Sequence, residues 1–362
     1  MIQRLSLALC CLLALAACAP SPQVAPEEQA LSETAHQLII PWHQAFAASS
    51  AELALSLERF CQNPGNPGEL EASRASWRAA MLAWQTLRPI NFGPVANNNQ
   101  SWRIQFWPDT HNRVGQKVEE LLNQDTPITA EGLANGNVLV QGLSGLEYLL
   151  FDPGKADPAS LQAPRVCEYL RAAGSNVQSV ADGLVRGWIT GGGNFVGTFL
   201  SAGPGNVAFP SQNEAVAALV SGMVASLEII KNRKLGDAFG GRPGGSERIN
   251  PYRLELWRSR LSLEAMQREL AAIQSLYRTG VRPLLLAGQH KALAHQMDDT
   301  FASSEKKLGD LPHPLFTRIA EPAALPQLQA AFDELGKLLS LLKRDLPAAL
   351  SLQLGFNAND GD

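Results

Sequence analysis

Beyond its first residues the chain has little of what usually announces a chemistry. It has six histidines in 362 residues, and none begins an HExxH or any other HxxE spacing. His290 and His295 lie five apart, too far round a helix for an easy shared ligand. A catalytic zinc takes about three protein ligands and an open position, so the histidine pattern disfavours peptidase chemistry. There is no surplus of basic charge: 30 Lys and Arg face 34 Asp and Glu, a formal net charge of −4. That balance leaves no electrostatic footprint for nucleic acid. Alternating apolar–polar strand patterns are scarce. No strand precedes Gly191–Gly193 and no Gly-Lys-Ser/Thr follows, which excludes a phosphate-binding loop. After the N-terminus no apolar stretch reads as transmembrane length.

Charge is also missing from the start of the chain, where Arg4 is the only charged side chain before Glu27. Leu5 to Ala17 runs without a charge, too short to span a bilayer but suited to a signal-peptide core. The run ends Leu15-Ala16-Ala17-Cys18, which resembles the bacterial lipobox. The expectation is that 1–17 are removed and Cys18 becomes a lipid-bearing first residue. Residues 18–30 would form a polar tether rich in Pro and Glu. Ala19 after the cysteine resembles outer-membrane sorting, on the periplasmic face. Removal of Arg4 takes the net charge to −5. Cys10 and Cys11 would leave with the signal, so only Cys61 and Cys167 stay free of lipid. They either pair in an oxidising compartment or remain separate buried thiols.

Apolar residues recur at helical spacing nearly everywhere. Val216, Leu219, Val220, Met223, Leu227 and Ile230 share one face, as do Leu328, Phe332, Leu335, Leu339 and Leu342. Similar stretches run over about 31–60, 70–87, 114–122, 138–151 and 166–188. Asn63–Gly68, Asp152-Pro153-Gly154 and Asp310–Pro314 break them. The fold class is all-α, and a chain of this length defaults to two domains. The expected division is 31–155 for an N-terminal helical bundle and 156–355 for a C-terminal one. Three irregular stretches interrupt the helices: 91–109, 191–210 and 235–251, and long loops in a compact domain are more often functional than idle.

Three segments carry a resemblance. They are Pro89-Ile90-Asn91-Phe92-Gly93-Pro94 ahead of Trp102-Arg103-Ile104-Gln105-Phe106-Trp107-Pro108-Asp109; Gly142-Leu143-Ser144-Gly145-Leu146-Glu147-Tyr148; and Leu254-Glu255-Leu256-Trp257-Arg258-Ser259, read as helical. Together with the helical pattern they resemble the imelysin family over about residues 31–350. The resemblance implies two helical bundles related by duplication, with the motifs near a cleft. Imelysins were named as insulin-cleaving metallopeptidases, and relatives are linked to periplasmic iron uptake. The family signature is GxHxxE. Gly142 and Glu147 match it, but Ser144 stands at the histidine position. Residues three apart on a helix share a face, and a neutral hydroxyl is a poor transition-metal ligand beside imidazole.

Glu147 sits in an apolar stretch. It is either a ligand or acceptor in a pocket, or a buried contact of Arg103, Arg88 or a tryptophan N–H. Gly142 and Gly145 would let their helix pack closely. Asp109 reads as a helix N-cap, which puts His111 in a first turn and makes Asp109, His111 and Glu147 a candidate metal set for a divalent metal or iron. Trp107 could line a pocket, and Arg103 among aromatic residues suits a small anion. The clusters 231–234 and 306–307 read as ordinary basic helix ends. The leading expectation is a membrane-anchored, non-catalytic binding or accessory protein, in metal acquisition. A metallopeptidase with substitute ligands and a scaffold docking another envelope protein are the rivals.

Overall fold

The computed structural model describes residues 25–241, 244 and 248–355, and the described residues are helical with no strand among them. Cys18 and the segment 1–17 lie outside the described residues, but the expected tether 18–30 is corrected at its end: Pro26 opens the helix Pro26–Thr34, which buries Ala30.

Helices begin where the breakers placed them. Asn66 accepts from the Gly68 N–H and Pro67 opens the helix Pro67–Leu87. Pro suits that first position because its missing N–H would be unpaired anyway. Ser211 accepts from the Glu214 N–H at 3.2 Å and starts the helix Gln212–Glu228.

Two hydrophobic cores divide the molecule. The first is built by Leu53, Leu57 and Phe60 of the helix Ile40–Gln62, Trp77, Met81 and Trp84 of Pro67–Leu87, Leu146 and Leu150 of Leu143–Phe151, and Leu170, Val177 and Leu184 of Pro164–Trp188. The second takes Val220 and Met223 of Gln212–Glu228, Leu270 and Ile273 of Ser262–Leu276, Phe301 of Lys291–Gly309, and Leu335 of Leu325–Ser340. The cores do not follow the 155/156 division. Pro164–Trp188 packs along Ile40–Gln62 in the first core, because its apolar stripe has its complement there. Leu31, Ala35 and Ile39 are buried in the second core, and the chain crosses to the first beyond the π-turn Ala35–Ile39. Each core therefore holds chain from both halves of the sequence. A disulfide joins Cys61 to Cys167, whose Cα atoms are 5.4 Å apart, and ties Ile40–Gln62 to Pro164–Trp188 inside the first core.

The helical run Gln212–Phe239 is long and apolar enough to cross a membrane by length and composition, which corrects the reading that no such stretch follows the N-terminus. Its most apolar window is 72 % buried inside the protein, as befits a central core helix. Of the irregular stretches, 191–210 contains a short helix, Phe195–Leu200.

A second correction concerns Leu254–Ser259, which is a turn rather than a helix. Leu256 and Arg260 have φ of 57° and 62°. Left-handed backbone is uncommon for large side chains and costs about 1–3 kcal/mol each. The Leu261 N–H closes the turn onto the Leu256 carbonyl at 3.2 Å. That turn, the Trp102–Asp109 segment and the helix Leu143–Phe151 converge where the two cores meet.

Candidate functional site

The short helix Leu143–Phe151 presents Ser144 and Glu147 on one face. Two glycines allow this. A Cβ on Gly142 would lie 2.2 Å from the Ile104 carbonyl oxygen, and one on Gly145 would overlap the Tyr169 hydroxyl. The backbone of 103–104 thus presses directly on the helix start, as the two glycines suggested. Ser144 then bridges to the neighbouring irregular segment: its hydroxyl accepts from the Phe106 N–H at 3.1 Å and donates to the Phe106 carbonyl at 3.2 Å. Where the family signature has imidazole, this chain has a hydroxyl engaged with backbone.

Glu147 is only 6 % exposed. Its Oε1 accepts from the Ser259 hydroxyl at 2.8 Å and from the Ser259 N–H at 3.1 Å. None of the expected partners is there. Arg103 instead donates to Gln141 at 2.9 Å, Arg88 lies elsewhere, and the nearby indoles are satisfied otherwise, Trp77 by the Leu143 carbonyl and Trp84 by Gln105. Burial pushes the Glu147 carboxyl up to about 7, and the Ser259 hydrogen bonds and the Arg258 charge hold it from going higher. Arg258 is itself fixed, donating to Asp152 at 2.7 Å and to Asn112 at 2.8 Å, and it stacks over Trp257.

Ser144 and Glu147 open on a cavity of about 40 Å³ walled by Trp107, Pro108, Asp109, Tyr252, Trp257 and Arg258. A water needs roughly 10–15 Å³ on this measure, whereas ligand pockets span roughly 300–1,000 Å³. The site has room for water beside a carboxyl that titrates near neutrality.

The candidate metal set does not assemble. Asp109 spends both oxygens capping the helix Arg113–Leu122, accepting from the Arg113 N–H at 2.7 Å and the Val114 N–H at 3.0 Å. It does the work of a cap, but from ahead of the helix. His111 therefore sits in the preceding turn, exposed, with Nδ1 3.0 Å from the Thr110 hydroxyl. Among the described residues no group of three His, Cys, Asp or Glu is arranged to hold a metal ion. The residues around Glu147 do not fit a resident catalytic zinc, since its carboxylate has no second ligand on the Ser144 face. His43, buried against Trp188 and bonded to the Ile39 carbonyl, is pushed down to about 4 by burial and is a core histidine.

A second polar cluster lies beside this site and was missed in the sequence. Lys234 is 1 % exposed, although it ends a run that reads as a basic helix terminus. Its ammonium donates to Gln85 at 2.8 Å, lies 2.6 Å from a Glu255 oxygen, and contacts Glu269. Glu269 also accepts from the Ser226 hydroxyl. Gln105 donates to Glu255 at 2.9 Å and accepts from Gln85 at 3.0 Å and Trp84 at 2.9 Å. This network joins Pro67–Leu87 of the first core to Ser262–Leu276 of the second. The signal for it was Glu269, an acidic residue on the apolar face of a core helix, which demands a partner.

With this geometry in view, the comparisons with known proteins are specific. The family model described as imelysin matches residues 39–342. Iron-regulated protein A of Synechococcus elongatus is 26 % identical over 296 residues, covering 79 % of this chain and 76 % of that protein. An imelysin-like protein from Psychrobacter arcticum superposes with a TM-score of 0.76 at 22 % identity, covering 91 % of this chain and 97 % of that one. A putative iron-regulated protein A precursor from Parabacteroides distasonis gives 0.77 at 14 % identity, covering 92 % and 97 %. Two helical cores, a Gly-x-Ser-x-x-Glu helix between them and a family match over most of the sequence lead to one assignment: the chain belongs to the imelysin family.

Proposed function

We propose that this imelysin-family protein is a non-catalytic binding or accessory protein of the cell envelope, held at the membrane by lipid on Cys18 and acting in iron acquisition. The carrying observation is Ser144. Its hydroxyl is committed to the Phe106 backbone, and Glu147 accepts both Ser259 hydrogen bonds on Oε1, which supports an architectural role for the motif. The iron-regulated names of two similar proteins support the iron part of the reading. The sequence Leu15-Ala16-Ala17-Cys18 supports the anchor, directed to the outer membrane and facing the periplasm. Iron here is cargo or signal, not a cofactor.

The test is growth of a deletion strain in iron-depleted medium, complemented with the wild-type chain or with Cys18→Ser. The reading expects a deficit that iron relieves, rescue by the wild type, and poor rescue by Cys18→Ser with loss of the protein from the membrane fraction. A deletion strain that grows normally without iron would remove the iron role. Unchanged membrane fractionation of Cys18→Ser would remove the anchor.

A further inference from the structure

A second cavity is far larger than the one at Glu147. A space of about 710 Å³ lies on the other side of Trp107 and Pro108, which wall both cavities. Its volume falls within the range typical of small-molecule sites. The walls come from both cores and from the Pro89–Pro94 segment that the motif reading singled out and Glu147 does not use. Three of the chain's seven tryptophans, Trp84, Trp102 and Trp107, face it together with Ile90, Val95 and Ile229. Trp102 is 54 % exposed, an unusual position for an indole without a partner surface.

The charged groups on these walls have one sign. Arg88 and Arg233 line the space and no Asp or Glu does. Arg233 has an acidic neighbour, Asp237 at 3.7 Å. The half-buried Arg88 guanidinium makes no hydrogen bond or ion pair with any described residue. A planar cation beside flat aromatic walls, with Ser221 and Asn91 as further polar groups, matches a ligand with a flat apolar body and a carboxylate-like anionic group. We infer that this inter-core cavity is a binding site for a small aromatic or similarly flat organic anion, with Arg88 as its anion anchor and Trp84, Trp102 and Trp107 as its walls. The inference deepens the binding reading above and rests on it, but it concerns a different cavity from that of Glu147.

The test uses 2-naphthoate, its uncharged counterpart 2-naphthylmethanol and acetate, titrated against the purified chain by tryptophan fluorescence and calorimetry. Naphthoate should bind at least about tenfold more tightly than the alcohol, because a hydrogen bond to a charged group is worth about that much. Acetate, lacking the flat body, should not bind measurably. Arg88→Met should weaken naphthoate at least about tenfold and leave the alcohol within about twofold. Ala225→Phe, which fills the cavity from the helix Gln212–Glu228, should abolish binding of both. If Arg88→Met fails to fold, the naphthoate–alcohol difference and Ala225→Phe decide. Equal affinity for acid and alcohol, or naphthoate binding indifferent to either substitution, would overturn the site. So would an absence of quenching up to millimolar naphthoate. None of those results would alter the outcome of the iron-limited growth test, so failure here is distinguishable from failure of the broader reading.

Discussion

Two buried acidic sites meet at the junction of the two cores, and they solve the same problem differently. Glu269 and Glu255 are at 0 % and 2 % exposure and share the ammonium of Lys234. Glu147, at 6 %, accepts from the neutral donors of Ser259 while the nearest cation, Arg258, is held by Asp152 and Asn112. The first site is a closed ion cluster that joins helices of both cores. The second is a carboxyl next to a small cavity, raised by burial to about 7. Burial of a carboxyl is thus common to both, and the partners differ: a buried ammonium in the first, neutral Ser259 donors in the second.

The sharpest way to break the contrast is Lys234→Met. Removing one member of a buried ion cluster leaves uncompensated charge and costs about 3–5 kcal/mol. Chemical denaturation should show that loss with the disulfide intact. A loss below about 1 kcal/mol would mean that the cluster is not the ion pair described. Next comes Glu147→Gln. The folded protein holds the Glu147 proton more tightly than the unfolded chain does, so its contribution to stability is full below pH 4.5 and is lost as the pH rises to about 7. At about 1.4 kcal/mol per tenfold change in proton affinity, the loss reaches up to about 3 kcal/mol. The stability of Glu147→Gln relative to wild type should therefore rise between pH 4.5 and 8, and a flat difference would contradict the raised titration. The smallest effect is expected for Ser259→Ala. It removes the hydroxyl's contacts to Glu147 and to the Leu256 carbonyl but leaves the backbone N–H bond to Glu147, costs about 1–2 kcal/mol, and should shift the pH dependence of stability further upward.

Much of the fold was legible because helical periodicity and Pro/Gly breakers act locally. Asn63–Gly68 ends one helix and starts the next as read, and Gly142 and Gly145 sit under backbone and a tyrosine hydroxyl. What escaped was decided at a distance. The core to which Pro164–Trp188 belongs is set by its complement on Ile40–Gln62, which no local pattern encodes. Leu254–Ser259 has helical composition, but its turn is held by left-handed Leu256 and Arg260, residues that do not advertise that conformation. At the site, the burial of Glu147 and the departure at Ser144 were visible, while Ser259 lies 112 residues away and only the tertiary fold brings it there. Lys234 reads as an ordinary basic helix end because its neighbours in sequence are basic. Its true neighbours are two glutamates from other elements.

The central proposal is that Glu147 is an architectural acceptor beside Ser144, which stands at the histidine position of the family signature. It is tested most directly by assaying peptide cleavage, insulin included, by the purified wild-type chain and Glu147→Gln, each with zinc, iron or chelator. The account predicts no cleavage above the enzyme-free background for either protein under any of these conditions. Metal-dependent cleavage by the wild type that disappears in Glu147→Gln would contradict it.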